Sequence, residues 1–237
     1  MDITADIQHF PLGKKIDGLT ISDSLRLLTE LHPGQVCFST SFSVEDQVIL
    51  HHIVSAGLPI KIFTLDTGRI FSETYAVWTA TQEKYGIHIE AYAPNAQHLE
   101  VFVNEKGPNA FYESVNNRKE CCYIRKVEPL KRALAGQKIW VTGIRAEHSD
   151  NRSLLQAIEW DEGNQLHKYN PLLSWTTEEV KGYISDQGIP YNVLHDRGFV
   201  SIGCQPCTRA VQPGESFRAG RWWWEDADKK ECGLHSN

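Results

Sequence analysis

The chain has 237 residues, 41% of them hydrophobic and 23% charged, with a formal net charge of −6. That length suits one large domain or two small ones, the acidic balance argues against a general nucleic-acid surface, and no segment has the apolar length needed to cross a bilayer. Residues 1–10 lack a basic region followed by an apolar core, so no secretory signal is expected and the cytoplasm is the expected compartment. Paired cysteines there bind metal or do redox work more often than they form structural disulfides.

In chain order, Ile21, Leu25, Leu28 and Leu31 form a helical stripe that Pro33-Gly34 stops. Residues 35–39 read as a short buried strand, followed by the polar run Ser39-Thr40-Ser41-Phe42-Ser43. Residues 45–55 read as a helix ended by Gly57, and 60–65 as a second strand closing on Asp66-Thr67-Gly68-Arg69. A third helix is expected over 72–85, with Ser72 as N-cap and Glu73 in its first turn, then a strand over 87–92. Residues 96–118 hold one or two short helices, 121–135 one helix, and 138–142 a strand leading into Gly143-Ile144-Arg145. Asp161-Glu162-Gly163-Asn164 is placed as the turn of a hairpin, and Thr176-Thr177-Glu178-Glu179 as a capping box opening a helix. Beyond Pro190, Gly, Pro, Arg and Trp dominate and irregular structure is expected. Strands alternating with helices predict an α/β fold, a mostly parallel sheet with helices on both faces. Residues 1–221 are expected to form one domain and 222–237 a mobile tail.

Two groups of residues carry chemistry. Ligands of open α/β sheets bind beyond the carboxyl ends of strands, where helix N-termini offer free N–H groups. Ser39, Ser41 and Ser43, then Asp66, Gly68 and Arg69, then Gly143 and Arg145 stand at three such ends and together suggest a nucleotide. Arginines crowd between the first cysteine pair and the tail (Arg118, Arg125, Arg145, Arg152, Arg209, Arg218, Arg221), which suits a small anion; surface salt bridging is the plainer account of such residues. The second group is Cys121-Cys122 with Cys204-Gln205-Pro206-Cys207. A Cys-x-x-Cys can be a metal clip, a redox dithiol or a disulfide. Neighbouring helical side chains diverge by about 100°, so adjacent cysteines serve one tetrahedral zinc poorly; an iron–sulfur cube offers each thiolate its own iron. Cys37, inside a buried strand, is assigned to the core.

Cys121-Cys122, then 81 residues, then Cys204-x-x-Cys207, and finally Glu231-Cys232-Gly233-Leu234-His235 resemble the assimilatory adenylyl-sulfate (APS) reductases, relatives of the phosphoadenylyl-sulfate (PAPS) reductases. Ser41-Phe42-Ser43-Val44-Glu45-Asp46, Leu65 to Arg69, Cys121 to Lys126 and Gly143 to Arg152 carry the same resemblance across nearly the whole chain. It implies an adenine nucleotide α-hydrolase-like fold, a [4Fe–4S] cluster on Cys121, Cys122, Cys204 and Cys207, thioredoxin as electron source, and reduction of APS to sulfite and AMP. It makes Cys232 the nucleophile, with His235 able to lower its pKa or orient it, and places Lys126 between cluster and substrate. Arg218 and Arg221 match family arginines that hold the phosphosulfate, while Arg145 and Arg152 belong to a closing loop in which one may only seal the site. The resemblance also suggests a homo-oligomer. A tail cysteine suits this role physically, because a reactive thiolate must be reachable. PAPS or dual specificity is the nearest rival. A tRNA-thiolating enzyme would want a glycine-rich loop that 39–46 lacks, and a zinc-bearing nucleotide-binding module would ignore Cys232→Ser. The three tryptophans Trp222 to Trp224 are expected to pack at the base of the tail.

Overall fold

The computed structural model describes residues 12–148 and 156–225. Its elements run α1 (Leu12–Ile16), α2 (Ile21–Leu31), β1 (Val36–Ser39), α3 (Val44–Ser55), β2 (Lys61–Leu65), α4 (Ser72–Tyr85), β3 (Glu90–Tyr92), α5 (Ala96–Lys106), α6 (Val115–Cys122), α7 (Glu128–Leu134), β4 (Ile139–Val141), β5 (Ile158–Asp161), β6 (Leu166–Tyr169) and α8 (Thr177–Asp186). The six strands line up β3-β2-β1-β4-β6-β5. Val36 pairs with Ile139, Ile139 with His167 and Phe63 with Glu90, all in parallel ladders; β5 and β6 run antiparallel. The expected mixed α/β fold is therefore present, and the reason is local. β4 and the first three residues of β1, Val36 to Phe38, are short apolar runs buried along their length, as strands covered on both sides must be.

The chain divides into two compact units, Met1–Thr40 with Val44–Ile62 and Gly136–Ile189, and Ser41–Ser43 with Phe63–Ala135 and Pro190–Asn237. In the first, Thr20 caps α2 by accepting from the Asp23 N–H, and Leu25 and Leu28 are fully buried, whereas Leu31 remains 40% exposed. The β5–β6 hairpin closes with the Asp161 carboxylate accepting from the Asn164 N–H at 3.0 Å. Thr176 and Glu179 form the full capping box of α8. Cys37 lies buried in β1 and burial pushes its thiol up to about 12.

In the second unit two local expectations change. Phe71, not Ser72, is the N-cap of α4; the Ser72 hydroxyl turns to Glu73 at 3.0 Å instead. The single helix expected over 121–135 is three pieces. α6 ends at Cys122, Tyr123–Val127 is a π-turn in which the Glu128 N–H reaches back to the Tyr123 carbonyl, and α7 follows. Pro129 supplies the cause: it has no N–H for the carbonyl four residues back, and its ring crowds that carbonyl, so the ladder widens there.

Candidate functional site, a four-cysteine pocket

The clip and the adjacent pair meet inside the second unit. Cys121, Cys122, Cys204 and Cys207 share one buried cluster with Phe102, Ala110, Phe111 and Trp222, and all four are free thiols. Gln205–Cys207 is a short 3-10 turn that Pro206 preorganises. Several bonds hold the clip in place. The Gln205 N–H donates to the Arg69 carbonyl at 2.7 Å, the Cys207 N–H to the Cys204 carbonyl at 2.9 Å, and the Tyr112 hydroxyl to the Pro206 carbonyl at 2.7 Å. The π-turn directly follows the adjacent pair, a place where such turns often mark function. Among the described residues, no group of three His, Cys, Asp or Glu is arranged to hold a single metal ion.

Cations and donors surround the sulfurs. Thr67 Oγ1 lies 3.2 Å from Cys204 Sγ. Arg125 donates to the Thr67 carbonyl at 2.6 Å and also bonds the Cys121 thiol. Arg118 bonds Cys122 and makes a two-pronged ion pair with Glu225, at 3.0 and 2.8 Å. The Arg221 guanidinium lies 4.8 Å from the Trp222 ring centroid and crosses Gly203, where any Cβ would collide with it. Burial alone would raise the Cys204 thiol, but Lys126 foremost, then the Thr67 hydroxyl, Arg221 and Arg125, hold it below its usual value. Cys207 goes the other way, pushed up to about 12 by burial and by Cys204 and Cys122 against the pull of Lys126 and Arg221. Among the buried donors without a hydrogen-bond partner are Trp222 Nε1 and Arg125 Nε.

The remaining expected site residues separate by unit. In the second unit, Asp66 accepts from the Gly68 N–H and the Tyr75 hydroxyl, both at 2.8 Å; its burial and the Asp66 carboxylate push Tyr75 up to about 12. Gly68 has φ +67°, a conformation that favours glycine. Arg69 donates to the Asn109 side chain at 3.0 Å and the Pro108 carbonyl at 2.6 Å. Ser41 is exposed and Ser43 half-buried, on either side of Phe42, which is buried at φ +60° and stacks on Trp78. A phenylalanine in that region is strained. Arg218 stands 6.0 Å from the Trp222 ring.

In the first unit, the Ser39 hydroxyl accepts from Trp140 Nε1 at 2.8 Å. Gly143 presses its backbone on Asp46 and Glu45, with no room for a Cβ. Arg145, 1% exposed, donates to Glu45 at 2.9 Å, to Glu147 at 2.5 Å, to the Trp175 carbonyl at 3.0 Å and to Thr177 at 3.0 Å. Arg152, Cys232 and His235 lie outside the described residues. Trp222 is 1% exposed, Trp223 is 40% exposed, and Glu225 pairs with Arg118. Thr67, Arg118, Arg125, Trp222 and Glu225 are the pocket residues that sequence reasoning did not single out as site residues. The crowding of arginines toward the cysteines is the one signal that pointed there.

Residues 35–210 match the model of the phosphoadenosine phosphosulfate reductase domain. The chain belongs to that family. An adenosine 5'-phosphosulfate reductase of Allochromatium vinosum is 52% identical over 200 residues, covering 84% of this chain and 78% of that one. The enzyme of the same name from Sinorhizobium fredii (strain NBRC 101917 / NGR234) is 46% identical over 94% of this chain and 89% of its own. Among solved structures, the phosphoadenylyl-sulfate reductase of Candida auris in a phosphate complex superposes with a TM-score of 0.73 at 28% identity, over 89% of this chain and 98% of that one. The FMN adenylyltransferase of Candida glabrata, in complex with FMN and an ATP analogue, shares the fold alone, with a TM-score of 0.54 at 16% identity over 92% and 73% of the two chains. The chain thus shares with the phosphoadenylyl-sulfate reductase structure the mostly parallel α/β fold expected from the sequence. No helix among the described residues is long and apolar enough to cross a membrane.

Proposed function

We propose that the chain reduces adenylyl sulfate (APS) to sulfite and AMP in sulfate assimilation, in the cytoplasm, with thioredoxin as reductant. The observation that carries this reading is the buried pocket of four free thiols ringed by Lys126, Arg118, Arg125 and Arg221, in a chain 52% identical to an APS reductase.

Cys121, Cys122, Cys204 and Cys207 would hold a [4Fe–4S] cluster. The donor set fits it: four thiols, cations to balance thiolate charge, and the unpartnered donors Trp222 Nε1 and Arg125 Nε to hydrogen-bond sulfur. When bound, the cluster supplies a compact anionic group of electrostatic and structural use. Loading it deprotonates the thiols, and the cations that already lower Cys204 favour that step.

In the reaction, the Cys232 thiolate attacks the sulfur of APS. An S–S bond forms, the sulfur–oxygen bond to phosphate breaks, and AMP leaves with that electron pair. One thioredoxin thiolate then attacks Cys232 sulfur and expels sulfite with the S–S electron pair. Thioredoxin's second thiol frees Cys232 and closes the thioredoxin disulfide, so two electrons pass from the dithiol to the sulfate sulfur. His235 favours the thiolate form of Cys232. Lys126, Arg218 and Arg221 offset charge on the sulfate oxygens and the departing phosphate. Ser39, Ser41, Ser43, Asp66, Gly68, Arg69 and Gly143 frame the nucleotide from strand ends. Of Arg145 and Arg152, Arg145 is the sealing residue, since its guanidinium is already taken up by Glu45, Glu147, Trp175 and Thr177, and Arg152 is the substrate contact.

The test is sulfite release from APS and from PAPS at equal concentration with reduced thioredoxin. Sulfite should appear faster from APS and not at all with Cys232→Ser. Sulfite from neither substrate, with the four-thiol pocket loaded, overturns the proposal. PAPS reduction, alone or alongside APS, is the second reading; the likeness to the Candida auris enzyme favours it, and equal or faster sulfite from PAPS would select it.

A further inference from the structure

The two thiol pairs are separated by 81 residues, and the short turn Thr67-Gly68-Arg69 touches the segments of both. On the clip side, the Arg69 carbonyl accepts from the Gln205 N–H at 2.7 Å, and Thr67 Oγ1 lies 3.2 Å from Cys204 Sγ. On the side of the adjacent pair, the Arg69 guanidinium is a fork. One of its amino groups donates to the Asn109 side chain at 3.0 Å, the other to the Pro108 carbonyl at 2.6 Å. Its central carbon lies 5.3 Å from the centroid of the buried Phe111 ring. Residues 108–112 are the loop and 3-10 turn that lead toward α6, the helix that ends in Cys121-Cys122. The same turn sends a bond back to the clip, from the Tyr112 hydroxyl to the Pro206 carbonyl at 2.7 Å. Bonds inside the clip, such as that from the Cys207 N–H to the Cys204 carbonyl, keep its shape. They do not set where it lies against the adjacent pair. Arg69 and Tyr112 span that gap, and Arg118–Glu225 crosses it elsewhere, from α6 to a residue beyond the clip.

We infer that Arg69 and Tyr112 are positioning residues for the four-thiol pocket, holding the clip against the adjacent pair so that all four sulfurs serve one iron–sulfur group. An arginine suits the place because its planar guanidinium donates in two directions while its face covers a ring. A lysine there keeps the charge and loses the fork. Outer partners of this kind orient the ligating groups, and their loss costs metal affinity although they touch no metal. The inference also divides the work of Arg69. Its turn frames the nucleotide, as proposed, whereas its guanidinium is committed to the wall of the pocket. It rests on the proposed iron–sulfur role of the four cysteines.

The experiment measures iron release from the loaded, anaerobic protein into a ferrous-iron chelator, followed by the loss of visible absorption. It compares wild type, Arg69→Met, Arg69→Lys, Tyr112→Phe and Cys37→Ser, and reads the AMP affinity of each. Iron should leave Arg69→Met about tenfold faster than wild type. It should leave Tyr112→Phe about fivefold faster, as for one lost hydrogen bond. Arg69→Lys should recover part of the difference. Cys37→Ser, destabilised in the first unit, should release iron at the wild-type rate, which separates positioning from a general loss of stability. If Arg69→Met takes up no iron, the rate for Tyr112→Phe decides alone. Release within about twofold of wild type in both Arg69→Met and Tyr112→Phe overturns the inference. So does equal acceleration in Cys37→Ser. A loss of AMP affinity in Arg69→Met with iron release unchanged also overturns it, because the guanidinium would then serve the nucleotide. A wild-type chain that binds no iron would instead strike the proposed function.

Discussion

Arg145 and Arg125 are both buried guanidiniums near strand ends, and their surroundings differ in kind. In the first unit, Arg145 is closed off by two carboxylates, a hydroxyl and a carbonyl. In the second, Arg125 has one short carbonyl bond and the Cys121 thiol, and its Nε has no partner. Trp222 Nε1 nearby is in the same condition. A buried donor left open costs stability, about 1–3 kcal/mol, and is retained where something else will accept from it. The lesson is that burying a charge does not mark a site. The accounting of its donors does.

The largest effect that would break this contrast comes from the cysteines. Cys204→Ser should lose the bound iron and all sulfite release, while Cys37→Ser should keep both and lose only stability, by about 1–3 kcal/mol for a hydroxyl buried in β1. Iron and sulfide analysis of the two purified variants checks it. Equal iron in both would mean the pocket is not the binding site.

Next is Arg145→Met. Removing the Arg145 charge from beside Glu45, 5% exposed, breaks a buried ion pair and should cost about 3–5 kcal/mol in urea unfolding. A folded variant of unchanged stability that no longer binds AMP would make Arg145 a substrate contact and erase the distinction between the units.

The smallest effect belongs to His52 in the first unit, which stacks on Tyr183 and lies 3.0 Å from the Ser22 hydroxyl. Burial, then the charge of His51, pulls its pKa down to about 4. A histidine depressed in the fold is neutral there and protonates first in the unfolded chain. Its stabilising contribution is therefore complete above pH about 6.5 and is lost as pH falls from there toward 4. Discounted for its partial exposure, the loss should be about 1–2 kcal/mol, read as the drop in urea midpoint between pH 7 and pH 4.5 that His52→Phe abolishes. A drop of the same size in the variant would assign the effect to other groups.

The family, the α/β alternation and the identity of the thiols were legible from residues alone. Apolar runs such as Val36-Cys37-Phe38 announce covered strands, and the Thr176–Glu179 cap and the Asp161–Asn164 turn are decided within a few positions. Other features were not legible, because they depend on partners far along the chain. Pro129 was visible, but its effect, a π-turn directly after Cys122, follows from ladder geometry that periodicity does not encode. The residues that face the sulfurs, Thr67, Arg118, Arg125 and Trp222, were distinguishable from ordinary surface or packing residues only once folding had buried them together. Arg145 and Arg221 read alike as arginines; folding gave one a complete set of partners and laid the other across Gly203 beside the thiols. The sequence by itself determined which groups could do chemistry, since spacing and side-chain type are local. Tertiary structure alone decided which of their hydrogen bonds were already satisfied, because satisfaction is a property of burial and of the long-range partner.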